Sequence, residues 1–222
     1  MQKLLAEAGC PVDHLEDQSV KHQKAPNVIC TIPGSSERRI LVSAHTDKVT
    51  AGQGTVDDWS GASMLADLLQ SLHGAPRRHT FVFIGFTGEE EGLLGSQSYV
   101  QGLTPEEKSR IAALVNVECL GLSPTAVWLS HADPHLAKLA GQTAAAIKLP
   151  IRGTNVDQVG RDDAMSFAAV HVPTITFHSV TQETLEILHS PWDRYRAIHP
   201  GDYYDSYRFL TAYLAFADAA LD

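Results

Sequence analysis

The chain has 222 residues, of which 44% are hydrophobic and 19% charged, a balance that fits one globular domain with a sizeable core and excludes a disordered, collagen-like or membrane-spanning chain. Lys and Arg number 17 against 26 Asp and Glu, a formal charge of −9; this argues against nucleic acid as a partner, because binding to phosphate backbones rests on basic surface. The 11 histidines stand out beside that surplus of acid, and acids with imidazoles are the side chains of metal sites.

Residues 1–26 are polar and weakly patterned apart from Leu4, Leu5 and Ala8, and read as a terminal helix and a loop. With one early cation, no long apolar run and acids soon after, they do not read as a secretory leader. The chain as given therefore reads as cytoplasmic, although a secreted or periplasmic chain whose leader had been removed would read the same. No stretch approaches the roughly 18 apolar residues of a membrane span. Apolar runs rich in Val, Ile and Phe follow at 27–32, 39–44, 80–86, 112–117, 125–129 and 173–177, and read as mostly buried strands. Helical patterns lie at 60–72, 95–101, 134–147 and 204–220, with Leu65, Leu68, Leu69 and Leu72 marking an inward face. Strands alternating with helices imply an α/β layered domain with a largely parallel sheet. The turn at residues 33–36 predicts a hairpin of the first two strands, so the sheet should be mixed. Cys10, Cys30 and Cys119 are odd in number and lack a CxxC pair; they read as buried reduced thiols rather than a disulfide framework or thiolate zinc site.

In an open α/β sheet, ligands collect beyond the carboxyl ends of the strands. The residues directly after the predicted strands are His45 and Asp47, then Glu89, Glu90 and Glu91, then Glu118, and finally a loop holding His178 and His189; Asp57 and Asp58 precede the helix at 60–72. Each has a bland reading alone. His-x-Asp is usually a hydrogen-bonded surface pair, Asp-Asp-x-Ser a helix N-cap, and a Glu run a solvated turn. Glu118 differs, since an acid ending a central strand needs a partner. Several carboxylates and two imidazoles converging on one crevice require cations to neutralise them. Imidazole with carboxylate and no thiolate suits zinc, and the number of groups suits two ions bridged by one carboxylate.

The succession SAHTD, VDDWSGAS, FTGEEEGLLGS, NVECLG and ILHSPWD resembles the co-catalytic di-zinc aminopeptidase family, whose members include bacterial leucyl-type aminopeptidases, glutamate carboxypeptidases and glutaminyl cyclases. The resemblance implies a single catalytic domain over residues 1–222, built as a three-layer α/β/α sandwich around a mixed, mostly parallel sheet. It implies two zinc ions, with His45, Asp57 and Glu118 serving one and Asp57, Glu90 and His189 the other. Asp47 would orient His45, Asp58 would shape the turn after the bridging Asp57, and Glu89 would be the general base. HSPWD favours His189 over His178 as the late ligand, and Asp163 would either help hold the pocket or cap a helix.

The same resemblance implies an exopeptidase, foremost an aminopeptidase acting on peptides with a free N-terminus. A single-zinc glutaminyl-peptide cyclotransferase and a metal-free peptide-binding relative are the alternatives. Relatives often carry an oxyanion-stabilising Tyr, but no Tyr lies between residues 100 and 191 here. Tyr195, Tyr203, Tyr204, Tyr207, an Arg, a backbone amide or zinc alone could take that place. The reduced N-terminal region leaves room for a homo-oligomer in which a partner subunit encloses the substrate. His73, His79, His131 and His135 read as solvated, and Cys119 as pointing to the face of its strand opposite Glu118.

Overall fold

The computed structural model describes residues 1–156 and 160–222. Eight strands form one sheet in the order β1-β2-β4-β3-β5-β8-β6-β7. They are β1 (Leu15–Gln18), β2 (Asn27–Ile32), β3 (Arg39–His45), β4 (Thr80–Phe86), β5 (Ile111–Val117), β6 (Ala126–Trp128), β7 (Arg152–Thr154) and β8 (Thr174–His178). The helices are α1 (Gln2–Glu7), α2 (Ser60–Leu72), α3 (Leu94–Gly102), α4 (Pro105–Ser109), α5 (Pro134–Ile147), α6 (Ala164–Ala168) and α7 (Pro200–Ala220). The central strands β4, β3, β5 and β8 are parallel, while β2 and β6 join them antiparallel.

Alternation along the central strands builds the two outer layers. Ile40, Val42, Phe81, Phe83, Ala113 and Val115 enter one core with Leu65, Leu68, Phe209 and Tyr213 from α2 and α7. Their neighbours Leu41, Val82, Ile84 and Leu114 enter a second core with Tyr99 of α3 and Phe167 of α6. A strand buried on both faces reads as a continuous apolar run, and for that reason the six internal strands are visible in the sequence. The mixed α/β/α sandwich is therefore the fold, as expected.

Several local expectations are corrected. The 27–32 and 39–44 segments do not form a hairpin, because β4 lies between β2 and β3. The 33–36 turn instead binds the segment entering β4: the Ser35 and Ser36 amides donate to the carbonyls of Arg77 and Arg78 at 3.1 and 2.8 Å, and the Gly34 amide to Thr80 Oγ1 at 3.2 Å. This leaves the apolar β4 paired on both edges. The first 26 residues are not merely helix and loop, since β1 pairs antiparallel with β2; its Leu-Glu-Asp-Gln sequence carries no apolar signal because it is an edge strand. His79 is buried rather than solvated, with Nδ1 3.1 Å from Asp218.

The three thiols are not all reduced. Cys10, in the turn leaving α1, and Cys30 of β2 form a disulfide with Cα atoms 6.1 Å apart, leaving Cys119 as the free, buried cysteine. Residues twenty apart in sequence meet because β1 pairs with β2 and sets Leu15 opposite Cys30. Replacing both bridged cysteines by serine is expected to lower stability by about 3 kcal/mol, read as a shifted denaturation midpoint. The unreduced, denatured wild-type chain should show one reactive thiol; three would refute the crosslink.

Candidate active site

Because β3, β4, β5 and β8 are parallel, the residues following them emerge at one edge of the sheet. His45 ends β3 with its ring buried. Its Nδ1 lies 3.1 Å from the Asp47 carbonyl and 3.6 Å from the Asp47 carboxylate, while Nε2 faces Asp57 Oδ1 at 3.0 Å. The Nδ1 proton is thereby held, mainly by the backbone carbonyl, and Nε2 is turned to the cleft. The Asp47 carboxylate has a further task, accepting the amides of Glu89 and Glu90, both at 3.1 Å. It anchors the turn after β4 to the end of β3, and buried Asn27 steadies that turn by accepting the Thr87 amide at 3.1 Å.

Asp57 and Asp58 lie in a single π-turn, Thr55–Trp59, that feeds α2, and the peptide between them is cis. Their side chains diverge. Asp57 presents Oδ1 to His45 and Oδ2 to His189 Nε2 at 3.1 Å, and the same His189 nitrogen lies 3.0 Å from Glu90 Oε2. Asp58 turns inward: Oδ1 accepts the amides of Gly61 and Cys119, both at 3.0 Å, and Oδ2 accepts the His45 amide at 3.3 Å. Gly61 must be glycine, since a Cβ there would sit 2.4 Å from the Val117 carbonyl oxygen and 2.5 Å from Asp58 Oδ2. The Asp-Asp-x-Ser segment is thus both a helix start and a site element.

Glu118 follows β5 and accepts from Asn116 Nδ2 at 3.3 Å; Asn116 also binds Ser43 and reaches Asp162 Oδ2 at 3.4 Å. Asp162, rather than Asp163, is therefore wired to Glu118. Asp163 precedes α6 but makes no side-chain cap bond to it. Cys119 does not face away from Glu118 as strand alternation would have it. Regular strand geometry ends at Val117, Cys119 adopts φ 51°, and its thiol comes within 4.8 Å of ligand atoms of Asp57 and Glu118. Burial first, then the surrounding acids, push that thiol well up, so it stays protonated.

These groups line a cleft of about 460 Å³. Its electrostatics are those of crowded acids. Burial raises Glu89 to about 8, with Asp163, Glu90 and Asp57 adding to the effect and His45 opposing it; burial likewise raises Asp58 to about 8 and Asp163 to about 7. Glu118 is also driven well up by desolvation and then by Asp162 and Glu89. Asp57 and Asp47 are held low: His189 and His45 outweigh the burial of Asp57, and His45 with the Glu89 and Glu90 amides outweighs that of Asp47. His45 is held well up despite burial, by Asp47, Asp57 and Asp58. Glu90 Oε1 is buried without a hydrogen-bond partner among the described residues. Such a donor set, with His45, Asp57 and Glu90 within 4.8 Å of one another, fits divalent cations.

The sequence profile of Peptidase family M28 matches residues 27–214, which takes in the cleft and almost every element around it. The chain belongs to peptidase family M28. The M28 chain is 29% identical over 161 residues to Aminopeptidase YwaD of Bacillus subtilis, covering 69% of this chain and 34% of that protein. It is 27% identical over 220 residues to a probable leucine aminopeptidase of Arthroderma benhamiae, covering 90% of this chain and 61% of that one. Its fold matches BSAP, a zinc aminopeptidase from Bacillus subtilis, with a TM-score of 0.79 at 24% identity, over 89% of this chain and 50% of the other. The chain thus spans about one to two thirds of the length of these relatives.

The cleft gathers His45, Asp57, Glu89, Glu90, Glu118 and His189, with Asp47 behind them. No tyrosine lines it: Tyr203 donates to the Ser60 carbonyl at 2.9 Å, and Tyr195 and Tyr204 are exposed. Asp193 has a role that the sequence reading missed. It accepts the amides of Val56 and Asp57 at 2.7 and 3.4 Å and so docks the His189 loop on the Asp57 turn, where Gly52 also packs against the Ser190 carbonyl. Its only signal was its place in the HSPWD motif. Asp193→Ala should weaken divalent-metal affinity about 10–100-fold in a chelator competition. Asp58→Ala, which strands three buried amides, should cost about 3 kcal/mol or more in unfolding experiments.

Proposed function

We propose that this M28 chain is a zinc-dependent exopeptidase that removes N-terminal residues from peptides. The observation that carries the reading is Asp57, whose two carboxylate oxygens each face a different histidine, His45 and His189, at 3.0 and 3.1 Å. That is the arrangement expected of a carboxylate shared by two ions. His45 and Glu118 would complete one ion's protein ligands, and Glu90 and His189 the other's. Bound zinc would polarise the scissile carbonyl and ease deprotonation of a water. The relatives named aminopeptidases support the choice of reaction.

Within the protein, Glu89 is the proton carrier. Its amide is pinned by Asp47 next to that of Glu90, so the two carboxylates leave one turn on separate errands. Glu90 holds the site, and Glu89, free of any metal role, takes the proton of the attacking water and returns it to the leaving amine. Its raised proton affinity in a buried acidic setting suits both halves of that transfer once cations offset the surrounding charge. The substrate's free amino group would meet the acids that remain, and a cleft of about 460 Å³ suits a short peptide end.

The disulfide between Cys10 and Cys30 supports a working place in an oxidising compartment rather than the cytoplasm. Metal analysis should find two zinc ions per chain; one would favour the cyclase reading, and none a binding module. Glu89→Gln should keep its zinc while kcat on amino-acyl p-nitroanilides falls about 10²–10⁴-fold, and the same substrates acetylated at nitrogen should be inert. Near-normal turnover by Glu89→Gln would end its role as the base.

A further inference from the structure

Two groups of metal-competent side chains meet in the cleft, and they share Asp57. One is His45, Asp57 and Glu90; the other is Asp57, Glu118 and Cys119, whose donor atoms likewise lie within 4.8 Å of one another. The group that contains Glu118 is thus completed by sulfur. Cys119 and Asp57 are 3% and 5% exposed, so two of its three donors are shielded from bulk water.

A buried free thiol is ordinarily a small hydrophobe, and Cys119 does belong to an apolar cluster with Val56, Leu122 and Val180. That role explains its burial but not its company, two carboxylates from separate segments: the turn before α2 and the end of β5. The backbone that carries the thiol is tied down on both sides of the residue. Its amide donates to Asp58 Oδ1 at 3.0 Å, and its carbonyl accepts the Ser179 amide and hydroxyl at 3.1 and 2.6 Å. Donors 2.0–2.3 Å from a tetrahedral ion lie about 3.3–3.8 Å apart, so this group need close in by at most about 1.5 Å to hold one.

We propose that Cys119 is a direct ligand of the ion held by Asp57 and Glu118, which makes that position a mixed carboxylate and thiolate site that takes zinc, cobalt or cadmium in preference to manganese or magnesium. The inference rests on the metal-dependent reading of the cleft and adds a donor to it. Thiolate selects zinc and softer ions, whereas carboxylates alone suit the hard ones. Without a cation the thiol keeps its proton; a coordinating thiol gives that proton up to solvent and offers the ion a negative charge in its place. The group of His45, Asp57 and Glu90 has no sulfur and is the less discriminating of the two.

The other two cysteines are joined in a disulfide, which leaves Cys119 as the free thiol and cobalt as a specific probe of it. Full-length protein stripped of metal by chelation, its disulfide intact, should develop a thiolate-to-cobalt charge-transfer band in the near ultraviolet as Co(II) is added. Cys119→Ser and Cys119→Ala should lack the band. Both variants should bind one zinc ion more weakly by at least about 10–100-fold, the loss that follows removal of an outer-shell partner alone. Their preference for Cd(II) over Mn(II) at that position should fall by about 10-fold or more. Cobalt bound by the wild type without the band would overturn the proposal, leave Cys119 as apolar filler and spare the metal-dependent reading, and this result needs no variant to fold. Wild-type protein that binds no cobalt would sink both, whereas a single bound ion that shows the band would sustain the sulfur ligand and sink the two-ion site.

Discussion

The Asp58 carboxylate holds the site together. It accepts the amides of His45, Gly61 and Cys119, which belong to the end of β3, the first turn of α2 and the segment leaving β5. Those three segments carry or adjoin His45, Asp57 and Glu118. A carboxylate in so buried a place is expensive to ionise, and its pKa of about 8 records that cost; converging backbone amides are the compensation. Since it binds three backbone amides and, more weakly, the Ser60 hydroxyl, Asp58 fixes where the chain runs. The neighbouring side chains can then be spent on chemistry.

Two further acids repeat the same division of labour. Asp47 pins the turn that offers Glu89 and Glu90, and Asp193 pins the His189 loop to the turn that offers Asp57. Each proposed ligand or base is thus paired with an acid whose hydrogen bonds go to main-chain amides. Backbone amides also offset negative charge, so these supporting acids add less to the repulsion in the cleft than a count of carboxylates implies. The repulsion that remains falls on Glu89, Glu90 and Glu118, whose proton affinities are raised by burial and by one another. Divalent cations are the natural counter-charge, and the membership of peptidase family M28 gives that electrostatic need a chemical setting.

The internal strands were readable because both faces of each are buried, so Thr80–Phe86 and Ile111–Val117 announce themselves as apolar runs. The polar residues directly after them were readable as a site for the same reason: strand ends are where an α/β sheet is open. Edge elements gave no such signal. Leu15–Gln18 is polar on three of four positions, and its pairing with β2 depends on backbone groups that any residue carries. Cys119 was misread because alternation was extended two residues past the end of β5, into a left-handed turn that swings the thiol into the cleft.

Sequence alone determined the layered α/β class, the helices at Ser60–Leu72 and Pro134–Ile147, and the identity of the cleft residues, since these follow from local periodicity and from residue chemistry at strand ends. Tertiary structure decided which segments became neighbours. It inserted β4 between β2 and β3, joined Cys10 to Cys30, buried His79 against Asp218, and left His178 Nε2 without a hydrogen-bond partner among the described residues. Each of these is a contact between residues far apart in the chain or a matter of which face a side chain takes after a turn. Local pattern carries no information on either, because the energy that settles them comes from packing and hydrogen bonding that exist only once the sheet has closed.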